Sequence, residues 1–317
     1  MQTNPLNVFI TGVTTALGRA VTRQLVARGH RVTGLTPDSD HAALARQDGA
    51  IPAFITDPFR AGELKSLLRA AEAEVVLHLT PQLVNGFPRR GLDWEANDRA
   101  LREGLPALQR AAVEAGVRFF VFPSYAFIYG DLGGEWADET TPRQEAPYLA
   151  AALNAEDRVL DDALPACVLR AGTLYGPHED GTETLIEALK RGRGVYTGDE
   201  NALSAWVHVD DLAAALVLAA ELMPDNEVFN VVDDTPATPA EFVGCLAKNL
   251  GQPAPGGPPA LLRPLLTDEM QQTLLAASRR VRNDKIKAAL GWKPRYADYR
   301  AGIDHTLLVA RAEMASR

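Results

Sequence analysis

Cysteine is scarce in this sequence. Cys167 and Cys245 are the only two, and neither sits in a CxxC or zinc-ligand spacing. That excludes a disulfide-stapled fold and a cysteine metal site. Two lone thiols suit a reducing cytoplasm, and Cys167 falls in an apolar run where a buried, inert thiol is expected. Long apolar runs are missing as well. No stretch reaches the ~18 uninterrupted apolar residues of a membrane span, and Met1–Pro5 lacks the basic-then-apolar layout of a signal peptide. Positive charge is in deficit, with 32 Lys and Arg against 41 Asp and Glu and a net charge of -9. Such a surface repels nucleic acid and anionic lipid unless a basic patch intervenes. The only short basic clusters, Lys190–Arg193 and Arg279–Arg282, read as solvated helix ends. The sequence shows no repeat and no low-complexity tract.

What is present is an ordinary globular composition, 46% hydrophobic over 317 residues, enough for one large domain or two small ones. Up to about residue 170, β-rich runs alternate with helical ones. Strands are predicted at Val8–Thr11, Arg31–Leu35, Ile51–Ile55, Val75–Leu79, Phe119–Pro123 and Cys167–Arg170, and helices at Ala16–Arg28, Ala61–Ala73, Trp94–Ala115 and Pro147–Leu164. Several strand runs are continuously apolar. Strands buried on both faces read that way, which implies a doubly wound, Rossmann-like parallel sheet with helices on each side. Ala205–His208 and Val228–Val232, flanking an apolar helix at Leu212–Leu222, could extend the same sheet. Gln252–Pro264 reads as a loop, and a late amphipathic helix stops at Leu290-Gly291.

The first strand runs into Gly12-Val13-Thr14-Thr15-Ala16-Leu17-Gly18. A glycine permits the tight turn, a second lets helix and strand pack closely, and the helix N-terminus offers N–H groups to a pyrophosphate. A carboxylate ending the second strand would hold the ribose diol of NAD. Thr36 stands there instead, followed by Pro37. Arg19 and Arg31 could meet a 2′-phosphate, which points to NADP; both also read as ordinary surface residues.

Further segments carry a resemblance: Val75–Leu79, Tyr125–Gly130, Leu169–Pro177, Trp206–Leu212 and Leu290–Pro294. In this order and spacing the chain resembles an extended short-chain dehydrogenase/reductase of the NAD(P)-dependent epimerase/dehydratase group. The resemblance implies a dinucleotide-binding domain at residues 1–172, to which 204–232 return, and a smaller substrate domain at 173–203 and 233–317. It also implies a small-molecule substrate, and a homodimer through Trp94–Ala115 and Pro147–Leu164. Gly12, Thr14, Thr15, Ala16, Leu17, Gly18, Thr36, Leu79, Thr80, Tyr148 and Ala171 would then line the NAD(P) site.

The resemblance breaks down at the chemistry. The family places Tyr and Lys four residues apart on one helix face. A cation about 4–5 Å from a phenol, at an effective dielectric of ~20, contributes roughly 3–4 kcal/mol and turns a poor acid into a useful one. Here Tyr148 is present, but Ala152 holds the lysine position. The usual Ser/Thr position is Tyr125, with Ser124 one residue earlier. The usual Asn position is Leu101, with Asn97 one helical turn too early. Thr15 replaces the middle glycine of the turn, and Ser204, Ala205 and Thr173 stand where nucleotide-sugar clamps would be. His78 reads as a structural histidine, and Asp210 or Asp211 as a helix cap. The resemblance therefore points to a nicotinamide-dependent oxidoreductase or epimerase with Tyr148, Tyr125 and Ser124 as its rebuilt catalytic set. A catalytically silent NAD(P) sensor or partner subunit, and a non-redox lyase or isomerase, are the alternatives.

Overall fold

The computed structural model describes residues 4–80, 94–193, 195, 197–256 and 269–315. In chain order its main sheet contains β1 (Asn7–Thr11), β2 (Arg31–Thr36), β3 (Ile51–Phe54), β4 (Val75–His78), β5 (Phe119–Tyr125), β7 (Ala166–Ala171) and β10 (Glu227–Val231). The spatial order is β10-β7-β5-β4-β1-β2-β3, and every pairing is parallel. Strand order reverses between β1 and β4. Ligands of open α/β sheets bind in the crevice beyond the strand C-termini at such a point.

Alternate residues of each strand face opposite helical layers. Val8 and Ile10 of β1, Val121 of β5 and Leu169 of β7 belong to one core, packed with Val21 and Leu25 of α1 (Ala16–Ala27) and Leu212 and Leu216 of α8 (Val209–Leu222). Phe9, Phe120, Phe122 and Val168 face the other layer. There they meet α3 (Ala61–Ala70), α5 (Leu105–Ala115) and α6 (Ala150–Asp161). The continuously apolar strand runs are therefore explained by two buried faces.

Three departures from the sequence-based expectations have physical causes. A nine-residue helix, α2 (Ser39–Gln47), lies between β2 and β3, where none was predicted. It buries only Ala42 and Ala45, so its apolar signal is weak, and it is started by the Asp38 carboxylate accepting from the N–H groups of Asp40 and His41. Second, Ala205–His208 does not extend the sheet. β9 (Trp206–His208) pairs with β8 (Thr173–Tyr175) in a separate two-stranded sheet, while β10 does join β7. Third, the cap of α8 is neither Asp210 nor Asp211. The His208 ring accepts from the Asp210 N–H, and the Asp211 carboxylate instead accepts from the N–H groups of Arg295 and Tyr296 at 2.7 and 2.9 Å. The rest of the predicted loop at Gln252–Pro264 lies outside the described residues from position 257 on.

The C-terminal part makes its own core. Trp206 stacks on Phe242 with ring centroids 4.0 Å apart, and Tyr175, Leu246, Tyr299 and Ile303 surround the pair. Phe242 and Leu246 lie on α9 (Pro239–Asn249). The helices α10 (Glu269–Ala276), α11 (Asp284–Leu290) and α12 (Tyr299–Ala315) complete the chain. Gly291, at φ 65°, ends α11 in the left-handed conformation expected for it.

A buried ion pair ties α6 to the sheet. Arg170 of β7 donates to Glu156 of α6 at 2.7 Å and to the Tyr129 hydroxyl at 2.9 Å, and Glu156 is fully buried. Removing one partner strands the other charge, so Glu156→Leu is expected to cost about 3–5 kcal/mol. A urea midpoint shift worth under ~1 kcal/mol contradicts this. His78 is likewise enclosed. Its ring meets the Thr11 hydroxyl at 2.8 Å, and burial pushes its pKa down to about 3. The unfolded chain takes up this proton near pH 6.5, before the native state does, so stability falls as pH drops from 6.5 towards 3. His78→Gln is expected to remove about 2 kcal/mol of the loss between pH 7 and 5. Denaturation curves at the two pH values measure the difference.

Candidate active site

The turn after β1 is built on close approach. Gly12 has φ +70°, and a Cβ there would lie 2.7 Å from the carbonyl oxygen of Leu79. A Cβ on Gly18 would lie 2.1 Å from the Gly12 carbonyl oxygen. Thr15, in place of the middle glycine, tightens the turn. Its hydroxyl donates to the Gly12 carbonyl at 2.9 Å and accepts from the Gly18 N–H at 3.0 Å, making it the N-cap of α1. Among the described residues, the N–H groups of Ala16 and Leu17 have no protein acceptor. They stand at the positive end of the helix dipole, where a pyrophosphate is held. Thr14 flanks them, partly exposed.

The loop after β4 closes on this turn. The Leu79 N–H bonds the Thr11 carbonyl, and the Thr80 N–H bonds the Thr11 hydroxyl at 3.2 Å. Thr36 ends β2 fully buried, with its hydroxyl on the Ala53 carbonyl, 3.3 Å away. Ala171 ends β7 opposite Tyr125 of β5. Thr11, Gly12, Leu79, Tyr125 and Ala171 thus line the C-terminal edge of the sheet together.

One of the two arginines offered for a 2′-phosphate is misplaced for it. Arg31 begins β2, paired with Asn7, at the opposite end of the strand from Thr36 and the phosphate turn. Arg19 is held by the Asp48 carboxylate at 2.6 Å. Arg31 therefore lies away from Thr36, and Arg19 is already paired.

Tyr125 is buried rather than open to the crevice. Its ring stacks on Phe127 with centroids 4.6 Å apart, and its hydroxyl lies 3.4 Å from the Asn97 amide nitrogen, which donates to it. Burial outweighs that bond and pushes the phenol up to about 12. Asn97 reaches it from α4 (Trp94–Arg99), which runs into a π-helical turn at Ala100–Gly104 before α5. A π-turn inserts a residue and shifts the helical register. Leu101, the position reached by counting back from Gly104, lies inside this turn and packs with Leu64 and Leu105. Ser124 is also buried, and its hydroxyl has no hydrogen-bond partner among the described residues.

Tyr148 lies in a short 3-10 turn at Pro147–Leu149, half-buried against the first core. Ala152, one turn into α6, belongs to the same apolar cluster as Tyr125, Phe127 and Leu149. No lysine or arginine takes its place on that helix face. A second buried cation, besides the paired Arg170, comes from elsewhere in the chain and acts electrostatically with Tyr148. Arg279, read from sequence as part of a solvated basic run, is only 5% exposed. It precedes β11 (Arg280–Val281), which pairs with β6 (Trp136–Ala137), and this pairing turns Arg279 inward while Arg282 stays exposed. Its Nε donates to the Gly130 carbonyl at 3.1 Å and its Nη2 to the Leu274 carbonyl at 3.3 Å. Lys190–Arg193, by contrast, is exposed at the end of α7 (Asp180–Lys190).

Comparison with known proteins agrees with this geometry. The model of the NAD dependent epimerase/dehydratase family matches residues 8–231. A 3-diazoavenalumate denitrifying reductase from a Streptomyces species is 32% identical over 312 residues, covering 94% of this chain and 99% of that protein. A dihydroquinoline-oxide ketoreductase from Stigmatella aurantiaca is 27% identical, over 78% of this chain and 74% of its own length. Among solved structures, the dTDP-glucose 4,6-dehydratase DesIV of Streptomyces venezuelae superposes with a TM-score of 0.79 at 22% identity, over 96% of this chain and 97% of that one. The fold and the phosphate turn define an extended short-chain dehydrogenase/reductase. The chain belongs to its NAD dependent epimerase/dehydratase family.

Gly18→Ala forces a collision with backbone, so it is expected to weaken nicotinamide-dinucleotide binding at least about tenfold, worth ~1.4 kcal/mol. A fluorescence titration reads it, and unchanged affinity contradicts the turn's assigned role. Tyr125→Phe removes one buried hydrogen bond, so a loss of about 1 kcal/mol is expected by urea unfolding.

Proposed function

We propose that this protein is a nicotinamide-dependent reductase that delivers hydride to a small electrophile without a tyrosine–lysine proton relay. The observation that carries the reading is Ala152, buried in an apolar cluster where the family's lysine would stand. The residues of the turn fit a dinucleotide. Gly12 and Gly18 leave no side chain in the way, and the Ala16 and Leu17 N–H groups are available to a pyrophosphate. When bound, a reduced nicotinamide supplies the hydride. Thr36, Leu79, Thr80 and Ala171 bound the crevice in which it would lie, and NADH and NADPH are equally compatible with them.

A carbonyl acceptor needs a proton as well as a hydride; Tyr125, a buried phenol pushed up to about 12, is a poor donor of one, and Tyr148 has Ala152 rather than a lysine four residues on. An aryl diazonium needs no proton. Hydride adds to the ring carbon, the carbon–nitrogen bond breaks, and its electron pair leaves with dinitrogen; arene and N2 form with charge balanced. The 32% identical relative, named as a denitrifying reductase of a diazo compound, supports this substrate class. In this reading Tyr148 and Ser124 bound and orient the acceptor, and residues 1–172 form the dinucleotide-binding part. A homodimer through the Trp94–Ala115 and Pro147–Leu164 segments is what the family resemblance implies, and two lone thiols suit a reducing cytoplasm. No described helix is long and apolar enough to cross a membrane. The loss at position 152 also favours a silent dinucleotide binder, and turnover separates the two.

With an aryl diazonium salt, NADH or NADPH oxidation at 340 nm is expected. Tyr148→Phe should change kcat/KM less than about threefold, against the ~10²–10⁴-fold loss expected on removing a general acid. Ala152→Lys should not raise this rate. Absence of cofactor oxidation, or a hundredfold loss in Tyr148→Phe, contradicts the proposal.

A further inference from the structure

We infer that Asp38, the carboxylate that starts α2, also selects the cofactor: it accepts from the adenosine ribose hydroxyls of NADH and repels the 2′-phosphate of NADPH. This rests on the dinucleotide-binding reading of the turn at Gly12 and narrows its cofactor class.

Asp38 lies just beyond the end of β2. Ile10 of β1 pairs with Gly34 of β2, so the phosphate turn and the end of β2 share one edge of the sheet. They also touch. A Cβ on Gly34 would lie 2.5 Å from the Val13 side chain of the turn. A dinucleotide whose pyrophosphate sits at the first turn of α1 has its adenosine ribose beside the end of the second strand. Thr36 cannot serve that ribose, because it is fully buried with its hydroxyl on the Ala53 carbonyl. Pro37 has no N–H to offer. The next side chain is that of Asp38.

Its carboxylate is held still by the helix it caps. Oδ1 accepts from the N–H groups of Asp40 and His41 at 3.0 and 2.9 Å, and meets Nδ1 of the His41 ring at 2.7 Å. Oδ2 takes no hydrogen bond among the described residues, and the side chain is 52% exposed. A fixed carboxylate with one open oxygen suits a hydroxyl donor.

The surroundings oppose a phosphate in the same place. A helix N-terminus is ordinarily an anion site, but the Asp40 and His41 N–H groups of α2 are already taken by Asp38. Asp40 adds a second carboxylate to that turn, and no lysine or arginine occurs from Thr36 to Ala45. Cations of the neighbouring elements are engaged or distant. Arg19 and Arg23 face Asp48 at 2.6 and 3.4 Å, and Arg60 faces Asp57 at 3.3 Å. Arg46 lies in the last turn of α2, roughly 12 Å along the helix from Asp38.

The test is binding without turnover. NADH and NADPH are titrated by fluorescence into the full-length protein in one buffer. A hydrogen bond to a charged group, lost on adding the 2′-phosphate, makes NADH bind at least about tenfold tighter. Asp38→Asn keeps a capping oxygen and removes the charge. In that variant the ratio should fall below about threefold, with NADPH binding tighter than before. NADPH bound as tightly as NADH by the unaltered protein overturns the inference, whether or not the variant folds. So does an undiminished ratio in Asp38→Asn. Loss of binding for both nucleotides would bring down the dinucleotide reading together with it, whereas lost discrimination with binding intact overturns only the assignment of Asp38. The reductase reading fails separately, by absent cofactor oxidation.

Discussion

The constraint on which the site depends is the contact between the start of α1 and the end of β1. There is no space for a side-chain carbon between Gly18 and the Gly12 carbonyl, so helix and strand meet backbone to backbone. Thr15 locks the contact from inside with one donated and one accepted hydrogen bond. This fixes the angle at which α1 crosses the sheet, and α1 shares its core with α8. The same contact aims the Ala16 and Leu17 N–H groups across the β1/β4 switch point. The threonine, which from sequence relaxes the glycine pattern, in the structure strengthens it.

Buried charge tells a second story. Arg170 and Glu156 neutralise each other between α6 and the sheet. Position 152, one turn from Glu156 on the same helix, carries no charge. Arg279 brings positive charge towards the crevice from the far end of the chain, held by carbonyls rather than carboxylates.

Much of the fold was legible because burial on both faces writes itself as unbroken apolar runs; Val75–Leu77 and Phe119–Phe122 are examples. The partners of short strands were less legible. Trp206–His208 looks like any apolar strand, and nothing local says that it pairs with Thr173–Tyr175 rather than with the main sheet. The helix Ser39–Gln47 buries two alanines and so carries almost no periodic signal. At the site, spacing rules located Gly12, Gly18, Tyr148 and Ala152. Spacing put Leu101 at the asparagine position, and in the structure Asn97, one turn earlier and ahead of the π-turn at Ala100–Gly104, is the residue whose amide reaches the Tyr125 hydroxyl. Arg279 was hidden inside a basic run. Charge density along a chain does not reveal which one of its side chains a parallel pairing such as β11 with β6 turns inward.

The proposed function rests on a hydride-transfer crevice beside Tyr148, with Ala152 where a lysine would stand. Its most direct test is the fate of the transferred hydrogen. With an aryl diazonium acceptor and nicotinamide cofactor deuterated at C4, the account predicts arene carrying deuterium at the carbon that lost dinitrogen, from one face of the cofactor only. Arene free of deuterium, with the hydrogen drawn from solvent, would contradict it.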